Sequence, residues 1–162
     1  MKELVKKTNF DLKARTGDKP ETTKPKRGAP PTPHSQISQN APYEFQEALF
    51  ERIQALPGVS VGKSLVSVPG ARAFHLDEAL ARGPKDAFQR GYEFAHIHPA
   101  HDGSLHVALP RDAYDKVLAQ GWGEPHPISG TMMVFGPRDA EELEIVFGIV
   151  RASYDYARGE PG

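Results

Sequence analysis

Residues 93–109 read EFAHIHPAHDGSLHVAL and contain four of the seven histidines in this 162-residue chain. Apolar and polar residues alternate on both sides of a His-Asp-Gly sequence, which is typical of a turn. The pattern predicts a β-hairpin of two antiparallel strands, residues 93–98 and 104–109, joined by a loop of about five residues. The register of this hairpin decides which side chains face the core.

Burial fixes that register. Side chains alternate across a strand, so the apolar Ala95 and Ile97 belong to the core face, while Phe94 and His96 lie on the other. Only a register that pairs His96 with His106 keeps the apolar residues of both strands together, because a slip by one residue would mix the two sets. The predicted histidine face comprises three central imidazoles and a polar turn at its rim: His96, His98 and His106, then His101 and Asp102.

Two further histidines are candidates for the same site. His75 follows Phe74 on a short predicted strand, and His126 lies in the loop GWGEPHPISG, which also holds the single tryptophan, Trp122. Glycine and proline hold the backbone of such a loop in place, and an aromatic residue near a histidine is typical of a pocket wall. We assign substrate binding to five residues: His75, His101, Asp102, Trp122 and His126.

Three kinds of chemistry fit the histidine face. A histidine pair at i, i+2 with a third histidine on the next strand resembles metal sites that leave one position open, with His96, His98 and His106 as ligands. The same imidazoles could instead act without a metal, one removing a proton and the others stabilising an anion. A third possibility is that they are structural. A cupin-like metal site would bring a glutamate soon after the His-x-His pair, and none occurs before Glu124.

The rest of the chain predicts helices on both sides of short strands. Apolar residues recur at helical spacing from Phe45 to Leu56 and from Leu143 to Tyr154, and two Pro-Arg-Asp-Ala sequences are typical of helix starts. The predicted order is α-β-β-β-β-α-β-α. It indicates an α+β class, with a largely antiparallel sheet packed by helices in a single small domain over residues 43–162.

The first 42 residues differ from this domain in composition. Residues 1–34 carry nine Lys and Arg against four Asp and Glu, and six prolines occur up to residue 42. The local charge is about +5. Few large apolar side chains are present, so burial cannot offset the entropy lost on ordering. We predict that residues 1–42 form a disordered, basic, proline-rich arm.

Composition also excludes several classes of protein. The absence of cysteine removes disulfides, zinc ribbons, thiol nucleophiles and iron–sulfur clusters. No apolar run is long enough for a membrane span and no signal-peptide pattern is present, which favours a cytoplasmic protein. Phe10 is the single aromatic residue among the basic ones of the arm, so no nucleic-acid partner is expected. The sequence gives no oligomeric state.

Three motifs together resemble the domain of fungal luciferases, enzymes that oxidise 3-hydroxyhispidin with molecular oxygen. They are HxHxxHDxxLHxAL at residues 96–109, GWGxxHP at 121–127 and PRxxEE at 137–142, and the similar region runs from about Ala73 to the C-terminus. The matching positions are His75, Glu93, His96, His98, His101, Asp102, His106, Trp122, His126 and Pro127.

The resemblance implies an oxygenase that acts with O₂ on a small enolic or phenolic substrate. One histidine, His96, His98 or His106, would take the enol proton, and a peroxide intermediate would form. No organic cofactor is implied, whereas a metal ion remains possible. The resemblance supports the fold and the histidine site but does not extend to light emission. The alternative is a metal- or small-ligand-binding module without catalysis.

Overall fold

The histidine hairpin lies at the centre of a six-stranded sheet in the computed structural model, which describes residues 11–160. The strands in chain order are β1 (Val59–Lys63), β2 (Arg72–Leu76), β3 (Glu93–Ile97), β4 (Leu105–Val107), β5 (Gly123–Pro125) and β6 (Met132–Val134). Their order across the sheet is β1-β2-β3-β4-β6-β5. All neighbouring strands are antiparallel.

The predicted register of the hairpin is confirmed. His96 pairs with His106, and Ile97 pairs with Leu105. The apolar side chains of this pair of strands are fully buried in the main core. Because the register keeps apolar residues on one face, the opposite face of the same two strands holds the imidazoles.

Within residues 11–160, three α-helices pack with the sheet: α1 (Tyr43–Gln54), α2 (Arg111–Ala119) and α3 (Ala140–Ala157). A short 3₁₀ turn spans Lys85–Ala87. Asp139 caps α3, since its side chain accepts a hydrogen bond from the Glu142 backbone N–H at 2.8 Å. Helices α1 and α3 pack against each other and against the apolar core. The predicted α+β class is therefore confirmed. None of the helices within residues 11–160 is long and apolar enough to span a membrane.

An irregularity between β2 and β3 changes the side-chain pattern of the hairpin. Phe74 pairs with Ala95, but the next residue, His75, pairs with Glu93, so Phe94 is an extra residue on β3. The extra residue turns Phe94 into the core, against other buried aromatic rings. It also turns the Glu93 side chain towards the histidine face. Strict alternation had predicted Phe94 on that face, and this prediction is wrong.

The loop GWGEPHPISG contains a strand that its composition conceals. Strand β5 pairs with β6 at the edge of the sheet, with Gly123 opposite Val134. An added Cβ on Gly123 would collide with the carbonyl oxygen of Met133, so only glycine permits this close approach. Pro125 is tolerated because an edge strand has one side free of ladder hydrogen bonds.

Residues 11–42, called the N-terminal segment below, do not form the disordered arm predicted for them. Leu12 and His34 are buried, and Thr22 and Gln36 form an isolated β-bridge within the segment. Composition misled the prediction because the segment is held mostly by hydrogen bonds to buried polar groups of the domain, rather than by apolar burial. The remainder of the predicted arm, residues 1–10, lies outside the described residues.

Candidate functional site

The histidine face opens into a cavity of about 530 Å³ between the sheet and the N-terminal segment. Residues 31–35 form one wall, and residues 66–68 form another. Seven polar side chains line the space between them: Gln89, His96, His98, His106, His126, Ser129 and Thr131. His34 faces the same space from the first wall. The predicted central imidazoles are thus gathered around one cavity, together with a histidine from the N-terminal segment.

His96 is held by a buried carboxylate. Its Nδ1 lies 2.8 Å from Oε2 of Glu93, a side chain with no exposed surface. The same carboxylate accepts hydrogen bonds from the Leu65 N–H at 2.8 Å and the Ser64 hydroxyl at 3.0 Å. Burial by itself raises the pKa of Glu93, but the hydrogen bonds from His96, Leu65 and Ser64 outweigh it and lower the pKa. Glu93 is therefore ionised at neutral pH.

The ionised Glu93 fixes the tautomer of His96. A carboxylate can only accept, so Nδ1 of His96 carries the hydrogen and Nε2 holds a lone pair when the ring is neutral. Burial lowers the pKa of His96, as does the charge of His98, while Glu93 raises it; the net direction is downward. Nε2 of His96 is buried and has no hydrogen-bond partner within residues 11–160. Because His96 lines the cavity, the site holds one buried basic nitrogen without a partner within residues 11–160.

Three further imidazoles, those of His34, His98 and His106, form a continuous hydrogen-bonded chain. Nε2 of His98 lies 3.1 Å from Nδ1 of His106, and Nε2 of His106 lies 2.9 Å from Nδ1 of His34. Nε2 of His34 lies 2.9 Å from Oε2 of Glu124. At the opposite end, Nδ1 of His98 faces the Ser104 hydroxyl at 2.9 Å and Oδ2 of Asp102 at 3.2 Å. We call this series, from Asp102 to Glu124, the closed chain.

Both carboxylates that end the closed chain are ionised. Burial alone raises the pKa of Glu124, but hydrogen bonds from Lys24, His34, Thr22 and Lys19 outweigh it and lower the pKa to about 2. Burial likewise raises the pKa of Asp102, and hydrogen bonds from His98 and Ser104 give a net lowering. Negative charge is therefore fixed at each end of the chain.

Between these ends, His106 is kept neutral. Burial lowers its pKa well below the ordinary value, and the charge of neighbouring imidazoles, His98 first, lowers it further. Burial also gives His34 a lowered pKa, although Glu124 opposes this shift. These two rings act as neutral hydrogen-bonding groups.

The three predicted metal ligands also lie close together. One nitrogen from each of His96, His98 and His106 lies within 4.8 Å of the others, and all three rings are buried. However, both nitrogens of His98 and of His106 already have hydrogen-bond partners. An ion bound by all three rings would have to replace at least one of these hydrogen bonds.

The structure separates the residues predicted for substrate binding. His126 lines the cavity, and its Nδ1 accepts from the backbone N–H groups of residues 128 and 129. Asp102 is buried, and its Oδ2 contacts Nδ1 of His98 on the side of the ring away from His106. His101 is exposed in the hairpin turn, and His75 contacts the Lys63 carbonyl oxygen; neither lines the cavity.

Trp122 also differs from its predicted position as a pocket wall. It is 1% exposed within the main core, and its Nε1 donates to the Lys13 carbonyl oxygen at 2.7 Å. The strand β5 that follows it draws the indole into the core instead of over the cavity.

Sequence reasoning assigned no site role to four residues that matter here: His34, Glu93, Gln89 and Glu124. The sequence indicates Glu93 only as a position that matches the luciferase motifs, because the bulge that redirects its side chain has no local signal. Glu124 is distant from the His-x-His pair in sequence, and it reaches the histidines through His34. No pattern in the sequence links His34 to residues more than 70 positions away. A histidine within a proline-rich segment was the one available hint.

Comparison with known proteins finds similarity to luciferases over the part of the chain that includes the histidine hairpin. The family model described as the luciferase domain matches residues 91–153. Luciferases of Armillaria ostoyae and Neonothopanus nambi are each 37% identical over 78 aligned residues, which cover 43% of this chain and 29% of each relative. The luciferase of Armillaria gallica is 36% identical over the same length. No solved structure matches the chain.

The match therefore spans less than a third of these curated relatives. The residues that the family model matches include Glu93, Glu124 and the histidines of the hairpin, whereas His34 and Gln89 lie outside residues 91–153. The shared motifs and the buried histidine cluster that they build make residues 91–153 of this chain similar to the luciferase domain.

Proposed function

We propose that this domain binds a small enolic or phenolic molecule in the histidine-lined cavity and promotes its reaction with O₂, with His96 as the general base. The observation that carries this proposal is the unpartnered Nε2 of His96, backed by the buried carboxylate of Glu93. The relatives are named luciferases, and the reaction with O₂ is proposed for this chain by analogy with them.

A carboxylate–imidazole pair suits the removal of a weakly acidic proton. The lowered pKa keeps Nε2 of His96 unprotonated at neutral pH, so it is ready to accept. When the ring becomes charged, the Glu93 carboxylate stabilises the imidazolium, in the same way as the acid of a catalytic triad orients and stabilises its histidine. A base of this kind contributes about 10²–10⁴ to a reaction rate.

The proposed steps balance in atoms and electrons. The enol O–H proton moves to His96 Nε2 and leaves an enolate. The enolate carbon supplies the electron pair of a new C–O bond to O₂, which is reduced to a peroxide anion. That anion takes the proton back from His96 to give a hydroperoxide and the neutral base. The net reaction is insertion of O₂ into the substrate, with no external reductant.

Gln89 is suited to hold the substrate. Its side-chain oxygen and nitrogen are both buried without partners within residues 11–160, and the side chain lines the same cavity as His96. An unpaired buried amide costs about 1–3 kcal/mol per group, so a ligand that satisfies it gains that amount. An amide offers both a donor and an acceptor, which complements a molecule that carries a hydroxyl and a carbonyl group.

Oxygen uptake tests the proposed reaction. Metal-free protein is mixed with 4-hydroxy-6-methyl-2-pyrone, or with its methyl ether, which lacks the enol proton. We expect uptake with the first compound only, and a rate about 10²–10⁴ lower in the His96→Gln variant. His101→Gln, a change at an exposed histidine of the same hairpin, serves as control. Equal uptake by wild type and His96→Gln would reject His96 as the base.

A metal site is the second candidate, favoured by the 4.8 Å grouping of His96, His98 and His106. Elemental analysis of untagged protein, beside a His96→Ala/His98→Ala double variant, distinguishes the two. A stoichiometric transition metal that the double variant loses would support metal-dependent chemistry or simple metal binding. Cytoplasmic location remains a prediction.

A further inference from the structure

Among the cavity histidines within residues 11–160, His126 alone belongs neither to the Glu93–His96 pair nor to the closed chain. Its ring centroid lies 5.6 Å from that of His106, and the His96 centroid lies 5.2 Å from the same ring. His96 and His126 therefore flank one imidazole and line one cavity. The catalytic role of His126 rests on the proposed function, whereas the position of its ring hydrogen does not.

A short loop between β5 and β6 holds the His126 backbone. The His126 N–H donates to the Thr131 carbonyl oxygen at 2.7 Å, and the Gly130 N–H donates to the His126 carbonyl oxygen at 2.9 Å. The Tyr114 hydroxyl ties this loop to α2, because it donates to the Gly130 carbonyl oxygen at 2.8 Å. The loop is thus closed on itself and anchored to a neighbouring helix.

Two N–H groups of the loop decide which nitrogen of His126 carries hydrogen. The backbone N–H groups of Ile128 and Ser129 both donate to Nδ1 of His126, at 3.1 and 3.2 Å. Nδ1 must therefore hold a lone pair, since a hydrogen there would face two other hydrogens. An imidazolium is excluded on the same ground, because it carries hydrogen on both nitrogens. His126 is a neutral ring with its hydrogen on Nε2.

The Nε2–H of His126 is available to a ligand. No hydrogen bond joins this nitrogen to another group in the part of the chain from residue 11 to residue 160. A neutral ring of this tautomer has no lone pair left for a metal ion, so His126 cannot extend the grouping of the three candidate metal ligands. The cavity thus combines a free acceptor on His96 with a free donor on His126.

We propose that His126 is a catalytic residue whose Nε2–H donates a hydrogen bond to the substrate oxygen that carries negative charge after His96 removes the enol proton. The loop and the nearly perpendicular His34 ring, whose centroid lies 5.0 Å away, hold this donor in one orientation. A donor fixed in advance stabilises the anion without reorganising during the reaction.

The neutral state of His126 suits this role. The hydrogen stays on Nε2 throughout, so His126 exchanges no proton and the balance of the proposed steps is unchanged. The enolate is stabilised without being protonated again at oxygen, and its carbon stays able to react with O₂.

Nitrogen NMR of metal-free, ¹⁵N-histidine-labelled protein tests the donor without turnover. In the free protein, the chemical shifts should place hydrogen on Nε2 of His126 and none on Nδ1. Under argon, 4-hydroxy-6-methyl-2-pyrone should shift the Nε2 resonance more than its methyl ether does, because only the first compound can form the anion. Hydrogen on Nδ1, or a shift no larger than that caused by the ether, would overturn the assignment.

The His126→Asn variant removes the donor and keeps the loop. The asparagine side-chain oxygen can accept from the N–H groups that follow it, as Nδ1 of the histidine does. We expect oxygen uptake with the pyrone to fall by about 10²–10³, with the midpoint of urea unfolding unchanged. His101→Asn, the same change at an exposed histidine that does not line the cavity, should match wild type in both measurements.

The role of His126 and the proposed reaction fail separately. Wild-type rates of uptake in His126→Asn would reject His126 as the donor and keep His96 as the base. Absence of uptake by wild type would reject the reaction, and the NMR shifts would still decide whether His126 donates to the bound anion.

Discussion

Two carboxylate–imidazole systems share one face of the sheet and differ in how they end. Glu93 and His96 form a pair whose outer nitrogen has no partner within residues 11–160. The closed chain from Asp102 to Glu124 has a carboxylate at each end and a partner for every ring nitrogen. The first system has a lone pair available for a substrate, while the second uses all of its lone pairs internally.

This difference assigns separate roles to similar residues. A base must have a free lone pair within reach of the proton that it removes. A group that stabilises charge needs a fixed orientation instead, and a fully hydrogen-bonded chain provides it. The comparison therefore predicts unequal consequences when the carboxylate of each system is neutralised.

Glu93→Gln should have the largest effect. The glutamine amide can donate to Nδ1 of His96, so the hydrogen moves to Nε2 and the free lone pair is lost. We expect oxygen uptake to fall by about 10²–10⁴, as for His96→Gln. The Ser64 hydroxyl would lose the oxygen that accepts from it and the Leu65 N–H would lose a charged acceptor, so the free energy of unfolding should also fall by about 3 kcal/mol. Enzyme assays and urea titrations measure the two quantities.

Asp102→Asn is the matched change in the closed chain. It should lower the rate by only about tenfold, because it removes charge stabilisation and leaves the base intact. An equal or greater loss of rate than in Glu93→Gln would show that the closed chain, and not the pair, supplies the base.

Acid should destabilise the fold, beginning near the ordinary histidine pKa. Burial lowers the pKa of His96, so between its folded and unfolded values the unfolded chain binds more protons. The free energy of unfolding therefore falls as pH drops below about 6.5, by at most about 1.4 kcal/mol per pH unit for each such group. The lowered pKa of Glu124, about 2, adds a second loss below about pH 4.5.

Urea titrations from about pH 7.5 to about pH 5 check this sign. The His96→Gln variant should show a shallower dependence over that interval, because it lacks one of the groups that gain protons on unfolding. Stability that rises on acidification over this range would contradict a neutral, buried His96.

The sequence predicted the part of the site that depends on local alternation. Ala95 and Ile97 must be buried, and that requirement alone set His96 opposite His106. Alternation could not predict that the Glu93 side chain faces the histidines, because a bulge reverses the alternation at one residue without changing the residue types around it. It also missed His34, since the contact with His106 is made by hydrogen bonds across 72 positions and leaves no periodic pattern.

The same reasoning explains the error over the N-terminal segment. Composition predicts order from apolar burial, whereas this segment is ordered through polar contacts at Glu124 and Asp102. Trp122 was misplaced for a related reason. Glycine and proline were interpreted as loop residues, but at the edge of a sheet they permit a close-packed strand.

Gln89→Leu should have opposite effects on stability and on binding. Removing a buried amide that has no partner should raise the free energy of unfolding by about 1 kcal/mol. Loss of the same amide should weaken binding of 4-hydroxy-6-methyl-2-pyrone about tenfold, measured by calorimetry without oxygen.

Gln46→Leu is the control for this change. Gln46 is also buried, but its side-chain nitrogen donates to the carbonyl oxygens of Ala41 and Ala100, away from the cavity. The Gln46→Leu variant should have a lower free energy of unfolding and an unchanged affinity for the pyrone. Gln89→Leu protein that is less stable and binds equally well would show that Gln89 serves packing and does not hold the ligand.

Lys19→Ala should have the smallest effect, although it alters the carboxylate that ends the closed chain. Nζ of Lys19 lies 3.2 Å from Oε1 of Glu124, but the lysine side chain is 60% exposed. Exposed ion pairs contribute about 0–1 kcal/mol, and Glu124 keeps its hydrogen bonds from Lys24, His34 and Thr22. We expect urea titrations to show a change within about 0.5 kcal/mol and the tautomer of His34 to stay the same. A loss above about 1 kcal/mol, or a change of tautomer, would mean that the chain depends on surface charge rather than on its buried hydrogen bonds.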